Sequence, residues 1–103
     1  MGEARVVRVR YTAPALADLD AVLSYIAARS PQGARKVTAR MRLLIDLLPA
    51  HPFLGARTED PTVRRLILTP YPYLVFYEVT DGEIIIHALR HAARDPGSMP
   101  GLG

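Results

Sequence analysis

Two turn signals divide residues 63–95 into three β-strand patterns, and this stretch constrains the fold more than any other part of the chain. Strands are predicted at residues 63–69, 73–79 and 83–91, where aliphatic, β-branched and aromatic residues dominate. Pro70 and Pro72 separate the first two strands, because a proline has no N–H to donate to a ladder. Asp81-Gly82 separates the last two, and an Asp-Gly step between apolar runs is typical of a type I′ hairpin turn. Consecutive strands with short connections predict an antiparallel meander.

One further strand and two helices are predicted before residue 63. Residues 5–11 alternate between arginine and apolar residues, which is the pattern of a strand with one apolar face. Thr12 is the predicted N-cap of a helix whose apolar residues recur at helical spacing, and Ser30-Pro31 ends this helix and starts a second one. Such a short connection predicts an antiparallel helical hairpin, and its apolar stripes need the sheet to cover them.

Three pairs of residues carry further expectations. Phe53 and Leu54 are apolar residues of a predicted loop at 51–62, and we expect them to pack against the core. Asp18 and Asp20 point about 200° apart around a helix axis, so we expect solvated side chains rather than a paired-carboxylate site. His87 and His91 are expected on one face of a strand, about 13 Å apart and too far from each other to share a metal ion.

The element order β-α-α-β-β-β predicts an α+β fold, with the helical hairpin packed on one face of an antiparallel sheet. A chain of 103 residues suits a single domain, which we predict over residues 1–96. Residues 97–103 are mostly glycine, proline and serine without periodicity, and they are predicted to form a flexible tail.

The composition excludes several classes of site. The sequence has no cysteine, which excludes disulfides, zinc–thiolate sites and a catalytic thiol. No apolar run is long enough to span a bilayer or to serve as a signal peptide, so we expect a soluble cytoplasmic protein, without metal or cofactor. The net charge of +3 is too small to predict direct binding to nucleic acid. Twelve of the thirteen basic residues are arginine, which leaves an acidic partner open.

The chain resembles the RelE/ParE superfamily of toxin–antitoxin toxins over residues 5–96. The resemblance rests on the element order and on four sequences, RRL at 64–66, PYLVFYEV at 72–79, DG at 81–82 and IIIH at 84–87. The closing LRHAARDP at 89–96 is similar to the L-x-H-x-x-R-D ending of many ParE-type toxins. No single sequence is specific, but their order and spacing together are.

The resemblance implies one of two activities. RelE-type members are ribosome-dependent endoribonucleases that cut mRNA, whereas ParE-type members inhibit DNA gyrase and cleave nothing. The nuclease site that the resemblance implies here is Arg65, Tyr77 and His91, since cleavage through a 2′-hydroxyl needs a cation and acid–base groups. The family's nucleases commonly have an arginine where this chain has Leu74, and neither an aromatic residue nor a histidine follows Asp95. The nuclease set is therefore incomplete, which favours a ParE-like inhibitor without catalytic residues.

Membership of this superfamily implies a ParD-like antitoxin as partner, in a hetero-oligomer. Leu74 and Phe76 alternate with apolar neighbours, so we expect the sheet face opposite the helices to expose apolar surface that an antitoxin covers. The residues predicted to contact the target or the antitoxin are Arg64, Arg65, Leu74, Phe76, Arg90, His91, Arg94 and Asp95. Two alternatives to the gyrase inhibitor stay open, an mRNA endonuclease and an inactive toxin fold that serves only as a binding module.

Overall fold

A computed structural model describes residues 7–93, so the predictions for Arg94, Asp95 and the C-terminal tail lie outside the described residues. Within these described residues two helices and five strands form an α+β fold, as predicted. In chain order they are β1 (Arg8–Tyr11), α1 (Ala13–Arg29), α2 (Pro31–Leu47), β2 (Ala56–Arg57), β3 (Val63–Ile67), β4 (Tyr73–Val79) and β5 (Glu83–His91). Within residues 7–93 neither helix has the length and apolar character that crossing a membrane requires.

The five strands form one sheet in the order β1-β5-β4-β3-β2. The meander of β3, β4 and β5 is antiparallel, as predicted, but β1 runs parallel to β5, so the prediction of a wholly antiparallel sheet is wrong. The reason is topological, because the two helices carry the chain across one face before the meander returns β5 in the direction of β1. The two-residue strand β2 was not predicted, since so short a segment has no alternation to detect.

Both predicted helix caps are present. The Thr12 hydroxyl accepts a hydrogen bond from the backbone N–H of Ala15 at 3.1 Å, and the Ser30 hydroxyl accepts one from Gly33 at 2.9 Å. Each helix also has a proline in its first turn, where the missing N–H costs no intrahelical bond. These local signals fix where the helical hairpin starts and turns.

The core lies between the helical hairpin and one face of the sheet. Burial of apolar surface here is the main force that holds the two layers together. The buried members on the helices are Ala15, Val37, Met41 and Ile45, and Leu48 follows α2. Those of the sheet side are Leu66, Leu68, Tyr73, Val75, Tyr77, Ile84, Ile86 and Leu89.

Asp81 and Gly82 form the tip of the predicted hairpin between β4 and β5. Thr80 N–H donates to the Glu83 carbonyl at 2.9 Å, and the Thr80 hydroxyl bonds the same carbonyl at 3.2 Å. No described residue other than glycine has a positive φ. Asp81 therefore does not adopt the type I′ conformation, and that part of the prediction is wrong. The Thr80 hydroxyl also accepts a hydrogen bond from Glu83 N–H at 3.2 Å, so this side chain helps to close the turn.

A β-bulge in β5 separates the two histidines of that strand. Phe76 is opposite Ala88 but Tyr77 is opposite Ile86, so His87 is an extra residue in the ladder. The His87 Nε2 atom lies 2.8 Å from the Glu78 carboxylate on the sheet face away from the helices. His91 packs against Tyr73 on the core side. The expectation that both histidines share one face is therefore wrong, because the bulge changes which face of the sheet the later side chains of β5 point to.

Candidate functional site

The sheet face away from the helices, called the open face below, carries a small apolar cluster. Its buried members are Leu74, Phe76 and Ala88, with Val63 and Ala92 packed against them. Leu74 and Phe76 are only 2% and 8% exposed, so the expectation that they present uncovered apolar surface is wrong. Their role as antitoxin contacts stays a prediction.

Arg64 and Arg65 project to opposite sides of β3 and differ in their partners. Arg64 donates from Nη1 to the Gly55 carbonyl at 2.8 Å, and its guanidinium lies 4.7 Å from the centre of the Phe53 ring. Arg65 is opposite Phe76, on the open face. Its Nε is buried and has no hydrogen-bond partner among residues 7–93. A buried donor without a partner is costly, so Arg65 is the better candidate for an acidic ligand.

Tyr77 is a structural residue, because it is fully buried on the core side of β4. Its hydroxyl accepts a hydrogen bond from Gly55 N–H at 2.9 Å and donates one to the Pro52 carbonyl at 2.7 Å. Burial raises the pKa of this hydroxyl, partly opposed by the Gly55 hydrogen bond and the nearby charge of Arg64. A buried hydroxyl held by two backbone groups cannot exchange a proton with a substrate.

His91 lies at the end of β5 beside an aromatic pocket. Its ring meets the Tyr73 ring edge-on, with centres 5.1 Å apart, and its Nδ1 accepts a hydrogen bond from Ala93 N–H at 3.1 Å. A neutral ring with Nδ1 as acceptor carries its proton on Nε2. The pocket has a volume of about 360 Å³ and is lined by Ala21, Val22, Tyr25, Tyr73, Leu89, Arg90 and His91.

The structure does not bring Arg65, Tyr77 and His91 together. His91 is opposite Tyr73, four residues from Tyr77 along β4, which corresponds to about 13 Å. Arg65 lies on the opposite face of the sheet from both. A general acid and base must reach the same substrate within hydrogen-bonding distance. This arrangement does not assemble a nuclease site from the three predicted residues.

Arg90 is tied to the first helix. Its Nε lies 3.7 Å from the carboxylate of Asp18, and the same carboxylate accepts a hydrogen bond from Leu89 N–H at 3.1 Å. The expectation that Asp18 is a solvated residue is therefore wrong, whereas Asp20 is exposed as expected. The sequence pattern of a helix does not show that one of its carboxylates reaches a strand 71 residues away.

The loop before β2 carries two apolar side chains on the surface. Phe53 and Leu54 are 66% and 46% exposed, so the expectation that they pack against the core is wrong. The Gly55–Tyr77 and Arg64–Gly55 hydrogen bonds hold this loop in place by its backbone, which leaves both side chains outside. Exposed apolar side chains of this size are typical of a surface that binds another protein.

A second apolar surface is the outer groove between α1 and α2, with a volume of about 830 Å³. Small residues such as Ala27, Ala34 and Ala39 line it together with Leu43, which is 54% exposed. Alanines on both helices, Ala27 on α1 and Ala34 and Ala39 on α2, are the signal that could have identified it from the sequence. No group of three or more histidine, aspartate or glutamate side chains in the described part of the chain could hold a metal ion.

A protein-family model for "ParE toxin of type II toxin-antitoxin system, parDE" matches residues 9–96. The chain belongs to this ParE toxin family. It is 39% identical to "Toxin RelE2" of Caulobacter vibrioides (strain ATCC 19089 / CIP 103742 / CB 15), over 86% of this chain and 99% of that protein. It is also 34% identical to "Putative toxin Y4kP" of Sinorhizobium fredii (strain NBRC 101917 / NGR234), over 79% of this chain and 88% of that one.

The fold of this ParE-family chain is similar to that of a solved structure described as "Chromosomal ParDE TA system from P. aeruginosa". The TM-score is 0.72 at 27% sequence identity, and the match covers 85% of this chain and 98% of the other. The predicted superfamily is thereby confirmed, and so is its function as the toxin of a type II toxin–antitoxin system with an antitoxin as partner. One relative is named for RelE, so the names alone do not distinguish the two activities of the superfamily.

Proposed function

We propose that this ParE-family toxin inhibits DNA gyrase by stoichiometric binding in the cytoplasm and is neutralised by a ParD-like antitoxin. The observation that carries the proposal is the position of Tyr77. Its hydroxyl is fully buried and bonded to Gly55 and Pro52, and it lies on the other side of the sheet from Arg65. A nuclease of the RelE type needs these groups around one phosphate, whereas an inhibitor that binds its target needs no such cluster.

The exposed apolar side chains support binding to another protein. Phe53 and Leu54 form a surface knob beside the guanidinium of Arg64, and aromatic residues and arginines are enriched at the energetic centres of protein interfaces. An endonuclease would instead need a polar cleft with free acid–base groups. Of the three candidates for that role, Tyr77 is already engaged with the backbone.

The proposal is tested by inducing the chain in cells that lack the antitoxin, following DNA and transcripts in one culture. We expect relaxed or broken DNA with intact mRNA. In a supercoiling assay with purified gyrase, inhibition should rise with the amount of toxin and saturate near stoichiometric amounts. Because a stoichiometric inhibitor does not turn over, longer incubation should not deepen the inhibition at a fixed dose.

The RelE-like endonuclease is the second candidate, and the name of the Caulobacter relative favours it. Rapid transcript cleavage on induction would establish it, and the variants Arg65→Ala and His91→Ala should then abolish cleavage. Lys36→Ala serves as a matched surface control, since Lys36 is an exposed residue of α2. Normal growth with intact DNA and RNA would overturn both candidates and leave a binding module.

A further inference from the structure

We propose that the outer edge of β3 at Ile67–Thr69 receives an extended segment of the cognate antitoxin, which adds a strand to the sheet. This inference rests on the proposed function only in taking an antitoxin as the partner. The edge is open because β2 pairs with β3 only at Arg65 and Arg64. No strand among residues 7–93 lies beside Ile67 on that side.

The backbone N–H and C=O groups of Ile67 lie in the plane of the sheet and point away from β4. Leu68 N–H donates to the carbonyl of Tyr73, the first residue of β4, at 3.0 Å, so the backbone groups of Leu68 face β4. In an antiparallel pair the direction of the N–H and C=O groups alternates along the strand. Ile67 therefore faces away from β4, and so does Thr69, whose carbonyl accepts a hydrogen bond from Arg40 Nε of α2 at 2.7 Å.

A pocket beside this edge suits an apolar side chain. It has a volume of about 310 Å³ between α2 and β3, and Leu44, Leu54 and Ile67 are among its lining residues. Leu54 and Ile67 are both 46% exposed. Side chains of an added strand alternate between the two sides of the sheet, so every second one would point toward the helices and enter this pocket.

The charge beside the edge selects an acidic segment. Arg40 of α2 lies on the helix side of this edge and the Arg65 side chain lies on the open face, where its buried Nε has no hydrogen-bond partner among the described residues. Arg40 uses one of the five N–H donors of its guanidinium on Thr69, and the others suit a carboxylate. The fitting segment is therefore extended and combines an apolar residue with acidic neighbours.

The same arginines argue against a second copy of this chain. In a symmetric dimer the identical patches of both copies meet, so the two arginines of one copy would enter the same interface as those of the other. Like charges brought together at an interface are unfavourable. At the opposite edge of the sheet, β1 carries Arg8 and Arg10, and charged residues on an edge strand discourage pairing. An apolar edge such as that at Ile67 lacks this protection, so it pairs readily with another extended segment.

The test is hydrogen–deuterium exchange on the coexpressed toxin–antitoxin complex and on the free chain. We expect the amides of residues 67–69 that face outward to exchange more slowly in the complex. Antitoxin affinity is then compared for Ile67→Pro and Ile67→Ala. Both variants lack the isoleucine side chain, but only proline removes the outward N–H, and prolines are tolerated at strand edges. The proline variant should bind roughly tenfold more weakly than the alanine variant, as for one lost hydrogen bond.

Equal affinity of the two variants, with no protection at residues 67–69, would overturn the proposal. Circular dichroism checks that Ile67→Pro folds, and the exchange experiment on the unmodified chain decides the question if it does not. Protection of this edge in a homodimer alone, or only by the target protein, would also overturn it. Induction of the same variants in cells keeps the two proposals apart. If the toxin damages DNA but its antitoxin binds at another surface, the edge proposal fails and the gyrase proposal stands. If induction of the chain has no effect on cells, the gyrase proposal fails, whatever the antitoxin binds.

Discussion

The carboxylate of Asp18 accepts a hydrogen bond from the backbone N–H of Leu89 at 3.1 Å, which joins the first helix to the last strand. Strand β1 ends at Tyr11, so the edge of β5 beyond Ile86 has no strand partner within residues 7–93. The helix takes over this edge, first through Thr12 N–H, which donates to the Ile86 carbonyl at 3.0 Å, and then through Asp18. The junction satisfies backbone groups that the four-residue strand is too short to reach.

We expect Asp18→Ala to destabilise the fold by about 1–3 kcal/mol, because it leaves the Leu89 N–H without its acceptor. Asp18→Asn keeps an acceptor oxygen and should recover most of the loss. Asp20→Ala is the matched control on the exposed side of the same helix, and its effect should stay within about 0.5 kcal/mol. Urea unfolding of the three variants checks this. Equal losses for Asp18→Ala and Asp20→Ala would mean that the hydrogen bond contributes nothing.

Gly55→Ala should destabilise the fold by about 1–3 kcal/mol through overpacking. A Cβ at this position would lie 2.8 Å from the Arg65 carbonyl oxygen and 2.9 Å from the Tyr77 hydroxyl oxygen. Neither can withdraw easily, because one is backbone and the other is fixed by two hydrogen bonds. Thermal unfolding measures the loss, and Gly82→Ala is the control, since a Cβ there meets no atom of the described residues within 4 Å. Similar melting temperatures for Gly55→Ala and the unmodified chain would contradict the close packing.

Local signals in the sequence predicted the helices and the meander but not the pairings between distant segments. The caps at Thr12 and Ser30 and the tip at Asp81-Gly82 act within a few residues, and all three lie where the sequence indicated. The parallel pairing of β1 depends on how the helices cross the sheet, which no local pattern records. The bulge at His87 likewise needs the register of the opposite strand.

The candidate site was harder to predict than the fold for the same reason. Tyr77 has the alternation of any strand residue, and only its contact with the loop at Pro52 and Gly55 shows that its hydroxyl is structural. Phe53 and Leu54 are apolar, which favoured a buried position, but the loop is fixed through its backbone. The contacts that fix the role of Tyr77 join residues 22 and 25 positions apart, beyond the range of any local pattern.

Tyr77→Phe should destabilise the fold by about 1–3 kcal/mol at neutral pH, because the Gly55 N–H and the Pro52 carbonyl both lose their partner. Tyr73→Phe is the matched control in the same strand, because the Tyr73 hydroxyl makes no hydrogen bond within residues 7–93. Its loss of stability should therefore be smaller than that of Tyr77→Phe. Toxicity per folded molecule should be unchanged in Tyr77→Phe, whereas a catalytic tyrosine would lose activity without losing stability. Urea unfolding and growth arrest on induction give the two readouts.

The stability difference between the unmodified chain and Tyr77→Phe should shrink at alkaline pH. Burial raises the pKa of Tyr77 above its ordinary value of 10.0, so the folded state favours the neutral phenol more strongly than the unfolded state does. Below pH 10.0 both states keep the proton and the hydroxyl stabilises the fold fully. As the pH rises from there through the raised pKa, the unfolded chain loses its proton first and the stabilisation is lost. Tyr11, whose pKa burial also raises, is present in both proteins and therefore cancels in the difference. Urea unfolding from neutral pH to above pH 10.0 measures this difference, and a gap that stays constant over the whole range would show that the Tyr77 phenol does not titrate as a buried group.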